Sequence, residues 1–290
     1  MICEICPRRC GVVRTASEGA GACGMPAGIV AARAMLHRWE EPCLSGTRGA
    51  GCVFFSGCNL GCAYCQNARI SRENFGKTLS PERLREIFDG LVTRGAHCVD
   101  LVTPTHFTPW ILEALEEPLE VPVVWNSGGY ESVETLRTLE GKVQVYLPDL
   151  KYADAALAAE LSGAPDYFET AKAAIDEMFR QTGPYRMGED GILQSGVIIR
   201  HMVLPGRLEN TRRVIDYVAA RFRPGEVLFS LMSQYTPQPD GAGGPARRVT
   251  GAEYRAAAEY MRACGIRDGF VQERGSAKAV YTPDFDLSGV

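Results

Sequence analysis

The sequence predicts an α/β chain: a partial, TIM-like (β/α)6 barrel with a small Cys-rich segment at its N-terminus. Three observations lead there. Short apolar runs of strand length alternate with longer stretches whose apolar residues recur at helical spacing. The alternation repeats six times in order, and right-handed crossovers roll such a parallel sheet toward a barrel. Eight of the eleven cysteines fall within the first 62 residues, which marks the start of the chain as different from the rest.

The first barrel strand is Cys52-Val53-Phe54-Phe55, a run apolar enough to be buried on both faces. Ser80-Pro81-Glu82 then opens a helix with a cap and a proline at its first position. Leu84, Ile87, Phe88 and Leu91 line one face of it, and it is expected to end near Gly95. The further strands are expected over 98–102, 121–125, 143–147, 196–203 and 227–232. Helices are expected over 108–119, 132–139, 154–161, 167–181, 210–222 and 250–264. Residues 29–39 read as a strand or a short helix, and 183–194 as a surface loop or hairpin. Residues 237–245, rich in Gly and Pro, are either a plain connection or a flap that orders over substrate. The division expected is a metal-binding segment over 1–45 and the barrel over 46–290.

Composition narrows the class of function. A hydrophobic share of 46% and a charged share of 23% are those of an ordinary globular protein, and 290 residues can bury a sizeable core. A net charge of -4 excludes a general nucleic-acid or anionic-membrane binder, because such binding needs a basic face. No apolar run approaches the ~20 residues that span a bilayer. Met1 to Cys6 lacks the basic and apolar regions of a secretory signal. A cytoplasmic location is therefore expected, where thiols stay reduced and serve as metal ligands or buried hydrophobes.

Two groups of cysteines carry the chemistry. Cys3, Cys6, Cys10 and Cys23 stand among Pro7, Gly19, Gly21 and Gly24, residues that let a chain wrap an ion tightly. Four thiolates suit tetrahedral zinc or a fully ligated second Fe–S cluster. A segment this small lacks a core of its own, and a metal would replace one. The second group, Cys58-x3-Cys62-x2-Cys65, follows the first barrel strand directly. Three thiolates are one short of the usual four, so a cluster held there keeps one iron free for a ligand that is not protein. Ligand sites of parallel α/β folds gather at that same edge of the sheet.

The Cys58–Cys65 loop resembles the signature of the radical S-adenosylmethionine (radical SAM) enzymes, and the resemblance covers about residues 50 to 275. It implies a partial barrel of the radical SAM type, with Cys58, Cys62 and Cys65 on a 4Fe-4S cluster and SAM on its fourth iron. A flavodoxin- or ferredoxin-type protein would then supply the electron. Cys3 to Cys10 and Phe54 to Asn67 resemble the pyruvate formate-lyase activating enzyme-like branch, as do Asp149-Leu150-Lys151 and Arg200 to Gly206. By that resemblance Asp149, Lys151 and Arg200 lie along the SAM and substrate cleft; Thr103, Thr105, Asn126 and Gln234, at the other strand ends, are further candidate contacts, and His106 is a candidate SAM contact, substrate contact or proton donor. Two places depart from the pattern. Val102 to Phe107 stands where a Gly-Gly-Glu-like stretch is usual, and Gln234-Tyr235 where activators have a Tyr-His pair. Three readings follow: hydrogen abstraction from a glycyl-radical partner enzyme, the same chemistry on a small molecule or peptide, or a non-catalytic metal-binding protein on an inherited scaffold.

Overall fold

The computed structural model describes residues 2–17, 19–238, 243–272 and 283–290. Its elements in chain order begin with β1 (Ile29–His37), α1 (Pro42–Ser45), β2 (Ala50–Phe55), α2 (Ala68–Ser71), β3 (Lys77–Leu79) and α3 (Pro81–Thr93). Then come β4 (Val99–Val102), α4 (Thr108–Ala114), β5 (Val123–Ser127), α5 (Val133–Arg137), β6 (Val145–Pro148), α6 (Ala155–Ser162) and α7 (Tyr167–Thr182). The last are β7 (Arg186–Met187), β8 (Leu193–Met202), α8 (Leu208–Arg221), β9 (Leu228–Met232), α9 (Gly251–Ala263) and β10 (Gly269–Val271).

The sheet order is β10-β9-β8-β6-β5-β4-β2-β1-β3, and every pairing from β2 to β10 is parallel. The six expected strands are β2, β4, β5, β6, β8 and β9, each followed by its helices. β1 is a strand, antiparallel to β2, and extends the barrel sheet from within the first 45 residues. β7 folds back on β8 as a hairpin. β3 and β10 add an edge strand at each end. Both are three residues long and partly exposed, too short for an apolar pattern. α4 stops at Ala114, short of 119, because Pro118 follows and disfavours helix in the residues before it.

Burial follows the patterns that produce the elements. All six residues of β2 are buried, and in α3 Leu84, Ile87, Phe88 and Leu91 face the sheet while Ser80 caps the Arg83 N–H. No helix among the described residues is long and apolar enough to cross a membrane.

Two arginines fasten the N-terminal segment to the barrel. Arg8 donates to the carbonyls of Asn59 (2.8 Å), Ser162 (2.7 Å) and Gly163, and its guanidinium lies over the Tyr130 ring. Arg14, buried, donates to carbonyls of Met25, Pro26 and His106 and stacks on Trp110. Each guanidinium thus satisfies its donors on backbone oxygens, where no carboxylate is at hand.

Two buried imidazoles tie strands to their neighbours. His106 Nε2 donates to the Ser56 carbonyl (2.7 Å), at the root of the Cys58 loop. His201 Nδ1 donates to Leu150 O (2.6 Å), which leaves Nε2 to accept from the Thr211 hydroxyl (3.0 Å). Burial holds both to about 4. An unfolded chain therefore takes up protons below its ordinary histidine value of about 6.5 that the folded chain refuses. Stability from these groups is complete above about 6.5 and falls as pH drops toward 4, by up to about 1.4 kcal/mol per pH unit for each. In denaturation midpoints measured across that range, His201→Gln should flatten the acid-side slope relative to the parent. Identical slopes would contradict the assignment.

Candidate active site

The Cys58 loop leaves β2 through Gly57, whose φ of +78° is costly for any other residue. A Cβ there would also lie 2.3 Å from Met25 Cγ and 2.9 Å from the Cys23 carbonyl. The loop is pinned on several sides. Asn59 Nδ2 donates to Tyr130 O (2.6 Å), Ala63 N to Leu161 O (2.9 Å), and Gln66 Nε2 to Gln234 O (2.7 Å). The stretch over 237–245 joins this anchoring at its described ends. Gln238 Nε2 donates to Cys65 O (2.9 Å), and Tyr235, tilted against Tyr64, donates to Pro245 O (2.7 Å). Residues 239–242, where a flap was one expectation, lie outside the described residues.

Cys58, Cys62 and Cys65 open onto one cavity of about 240 Å³. Each sulfur has a donor: Leu60 N at 3.4 Å from Cys58, the Ser162 hydroxyl at 3.1 Å from Cys62, and the Ser71 hydroxyl at 3.2 Å from Cys65. Burial pushes the Cys58 thiol up to about 12 and raises that of Cys65. Burial thus disfavours free thiolates at Cys58 and Cys65, and a metal centre would supply the charge that replaces their protons. Among the described residues, no fourth cysteine lines the cavity. Three sulfurs with hydrogen-bond donors, Cys62 buried and Cys58 and Cys65 partly so, face a space lined by polar strand ends and fit a cluster that leaves one iron open.

Much of the rest of the wall comes from the C-terminal ends of the strands, with Trp39 and Glu40 after β1 and Ser71 of α2 beside them. Thr103, Asn126, Asp149, Lys151, Arg200 and Gln234 all line the cavity. Thr103 ends β4 with φ +61°, a left-handed conformation that is strained for a β-branched residue and is held by its N–H on Asn126 O (2.8 Å). Arg200 is the hub. Its Nε donates to Asp149 Oδ1 (2.9 Å), one terminal nitrogen to Glu40 Oε1 (2.9 Å) and the other to Asn126 Oδ1 (2.7 Å). Lys151 Nζ reaches Asp149 Oδ2 (2.5 Å) with both side chains largely buried, so this pair is no loose surface bridge. Burial works against the Asp149 charge, yet Arg200 and Lys151 together hold its carboxyl below the usual range. Gln234 takes a bond from Gln272 on its Oε1 (3.0 Å).

Beneath this layer lies Asp100, fully buried in β4, with one oxygen near Cys52 Sγ (3.3 Å) and Asn126 Nδ2 (3.2 Å). Its other oxygen has no hydrogen-bond partner among the described residues. Burial, and then the charge of Glu40, push its carboxyl well above the usual range. Glu40 and Asp100 were not singled out from the sequence. An acid inside the apolar run Cys98 to Val102 was a signal for Asp100, but nothing near Glu40 announces a partner 160 positions away.

Thr105 and His106 do not line the cavity. Thr105 donates to Glu131 (2.6 Å), and His106 supports Ser56 from below. Cys3, Cys6, Cys10 and Cys23 lie apart from the cavity wall, in a segment closed by Cys3 N to Val12 O (2.9 Å) and Gly11 N to Cys3 O (3.1 Å). Cys23 nonetheless touches the loop through its carbonyl at Gly57.

A parallel partial barrel with three thiols at the end of its first strand defines an iron–sulfur enzyme of open-cluster type. The chain belongs to the radical SAM superfamily, whose family model matches residues 52–218. Its cofactors are a 4Fe-4S cluster and SAM. It is 29% identical over 276 residues to the uncharacterized protein MJ0674 of Methanocaldococcus jannaschii, covering 89% of this chain and 73% of that one. A shorter match, 34% over 67 residues, is to 7-carboxy-7-deazaguanine synthase of Methanothermobacter thermautotrophicus, covering 22% and 27%. Among solved structures, Streptococcus suis SuiB bound to S-adenosylmethionine superposes with a TM-score of 0.53 at 14% identity. The match covers 74% of this chain and 48% of SuiB, so the chain spans about half of that protein's length.

Removing the hub should be costly. Arg200→Met leaves Glu40 and Asp149 buried without their shared cation, and a loss of about 3 kcal/mol in urea denaturation is expected. A loss under about 1 kcal/mol would mean that solvent, not Arg200, neutralises these carboxylates.

Proposed function

We propose that this chain reductively cleaves SAM at a 4Fe-4S cluster on Cys58, Cys62 and Cys65 and abstracts one hydrogen atom from its substrate. The observation that carries this reading is the cavity itself: three thiols, without a fourth, share it with six polar residues from successive strand ends. When bound, the cluster supplies one electron that divides SAM into methionine and a 5'-deoxyadenosyl radical. The chain's residues would position SAM and exclude water. Lys151 and Arg200 offer cations to the carboxylate of SAM, and Asp149 offers an anion to its amino group. Thr103, Asn126 and Gln234 supply further polar contacts. A flavodoxin- or ferredoxin-type protein is the expected electron donor.

Two substrate readings remain in play. Activation of a glycyl-radical partner rests on the resemblance of Asp149 to Lys151 and of Arg200 to Gly206 to the pyruvate formate-lyase activators. Action on a peptide or small molecule is favoured by the end of β9. There Gln234 and Tyr235, in place of the activators' Tyr-His, are engaged with Gln66, Gln272 and Pro245. SuiB, alike in fold, has also been solved bound to a precursor peptide, SuiA. For Cys3, Cys6, Cys10 and Cys23 the reading is a metal staple, zinc or a second Fe–S cluster, that orders the segment against the Cys58 loop.

Anaerobically reconstituted protein given dithionite and SAM should form 5'-deoxyadenosine, and none at full cluster occupancy would overturn the reading. Deuterium passing into 5'-deoxyadenosine from a glycine-labelled partner enzyme would select the first substrate class. In a Cys58/Cys62/Cys65 triple Ala variant, zinc without sulfide would identify an ion at the N-terminal thiols, and residual iron with sulfide a second cluster.

A further inference from the structure

Two of the three cluster sulfurs receive a hydrogen bond from a side-chain hydroxyl, and neither hydroxyl is needed for ligation. Ser71, the last residue of α2, lies with its Oγ 3.2 Å from Cys65 Sγ. Ser162, the last residue of α6 and 100 positions from Cys62, lies with its Oγ 3.1 Å from Cys62 Sγ. Ser162 Oγ is also 2.7 Å from the Tyr152 hydroxyl, which is 2.8 Å from that of Tyr64. Ser162, Tyr152 and Tyr64 are buried, and Ser71 is partly exposed. Cys58, by contrast, has only backbone donors, with Leu60 N at 3.4 Å.

We infer that Ser71 and Ser162 tune the reduction potential of the cluster upward by donating hydrogen bonds to Cys65 and Cys62. The inference rests on the reading that these thiolates hold the cluster. Its direction is fixed by chemistry. A thiolate bound to iron has no proton, so each hydroxyl can only donate to it. With its single proton committed to Cys62, Ser162 Oγ can only accept from Tyr152, so the Tyr152 proton that otherwise goes to the Tyr64 hydroxyl turns to Ser162, and hydroxyls linked in series polarise one another. Reduction adds negative charge to the cluster and its sulfurs. Donors aimed at that charge stabilise the reduced form more than the oxidised form, more so where water is excluded. The result is a cluster that a biological donor reduces more readily. Arg8 belongs to the same device, because its bonds to Ser162 O (2.7 Å) and Asn59 O (2.8 Å) fix the end of α6 against the cysteine loop.

The test is a potentiometric titration of the reconstituted protein, followed by the EPR signal of the reduced cluster, with iron and sulfide assayed in every sample. Ser71→Ala and Ser162→Ala should each lower the midpoint. The double variant should shift the reduction equilibrium about tenfold toward the oxidised form, about 59 mV for one electron. Ser71→Thr and Ser162→Thr, which keep a hydroxyl, should restore most of it. Tyr152→Phe should move it in the same direction by less. An unchanged midpoint in the double Ala variant at full iron and sulfide content would overturn the inference and leave the cluster assignment standing. A wild-type protein that takes up no iron and sulfide would overturn the assignment, and the inference with it.

Discussion

A guanidinium in the interior of a parallel sheet must find negative charge there, and around Arg200 that requirement organises the barrel. Its partners come from separate parts of the chain: Asp149 after β6, Asn126 in β5, and Glu40 before α1. One side chain thereby joins β5, β6 and β8 to the segment that follows β1. Because Lys151 adds a second cation on Asp149, the upper face of this network presents both signs of charge to the cavity. On the proposed function, a zwitterionic amino-acid moiety such as that of SAM would meet this surface, and the interaction that offsets the burial of Arg200 would also prepare its binding site.

The cysteine loop depends on a second constraint, close backbone packing. Gly57 admits Met25 and the Cys23 carbonyl at distances no side chain would allow, and Arg8 and Arg14 fasten the same N-terminal segment to the loop and to His106. With Gln238 on Cys65 and Asn59 on Tyr130, the three sulfurs are approached from the N-terminal segment, from β5 and from the end of β9. The segment before the barrel is thus part of what holds the loop rigid. The Cys23 carbonyl packs beside Gly57, so the segment that carries the N-terminal thiols adjoins the root of the Cys58 loop.

Much of this was legible in the chain. Runs such as Cys52 to Phe55 and Val143 to Leu147 declare buried parallel strands, and the cysteine spacing after the first of them declares the chemistry. Local patterns fail where the cause is distant or the element is short. β10, three residues of mixed exposure, exists because β9 offers it an edge. Thr105 and His106 stand at the right strand end for a cofactor contact, yet the turn after Thr103 directs them to Glu131 and Ser56. Their residue types could not reveal this, since the same groups serve a ligand or a neighbouring loop equally well. Glu40 and Ser162 act across long separations, on Arg200 and Cys62, that only the curled sheet and its helices bring together.

On the proposed function, three cysteines leave one iron for SAM to complete. EPR of the dithionite-reduced cluster, recorded with and without SAM, tests it most directly. SAM entering the coordination of the open iron should change the g-values of the signal. An unchanged spectrum at saturating SAM, with full iron and sulfide, would mean that the fourth position is closed to it.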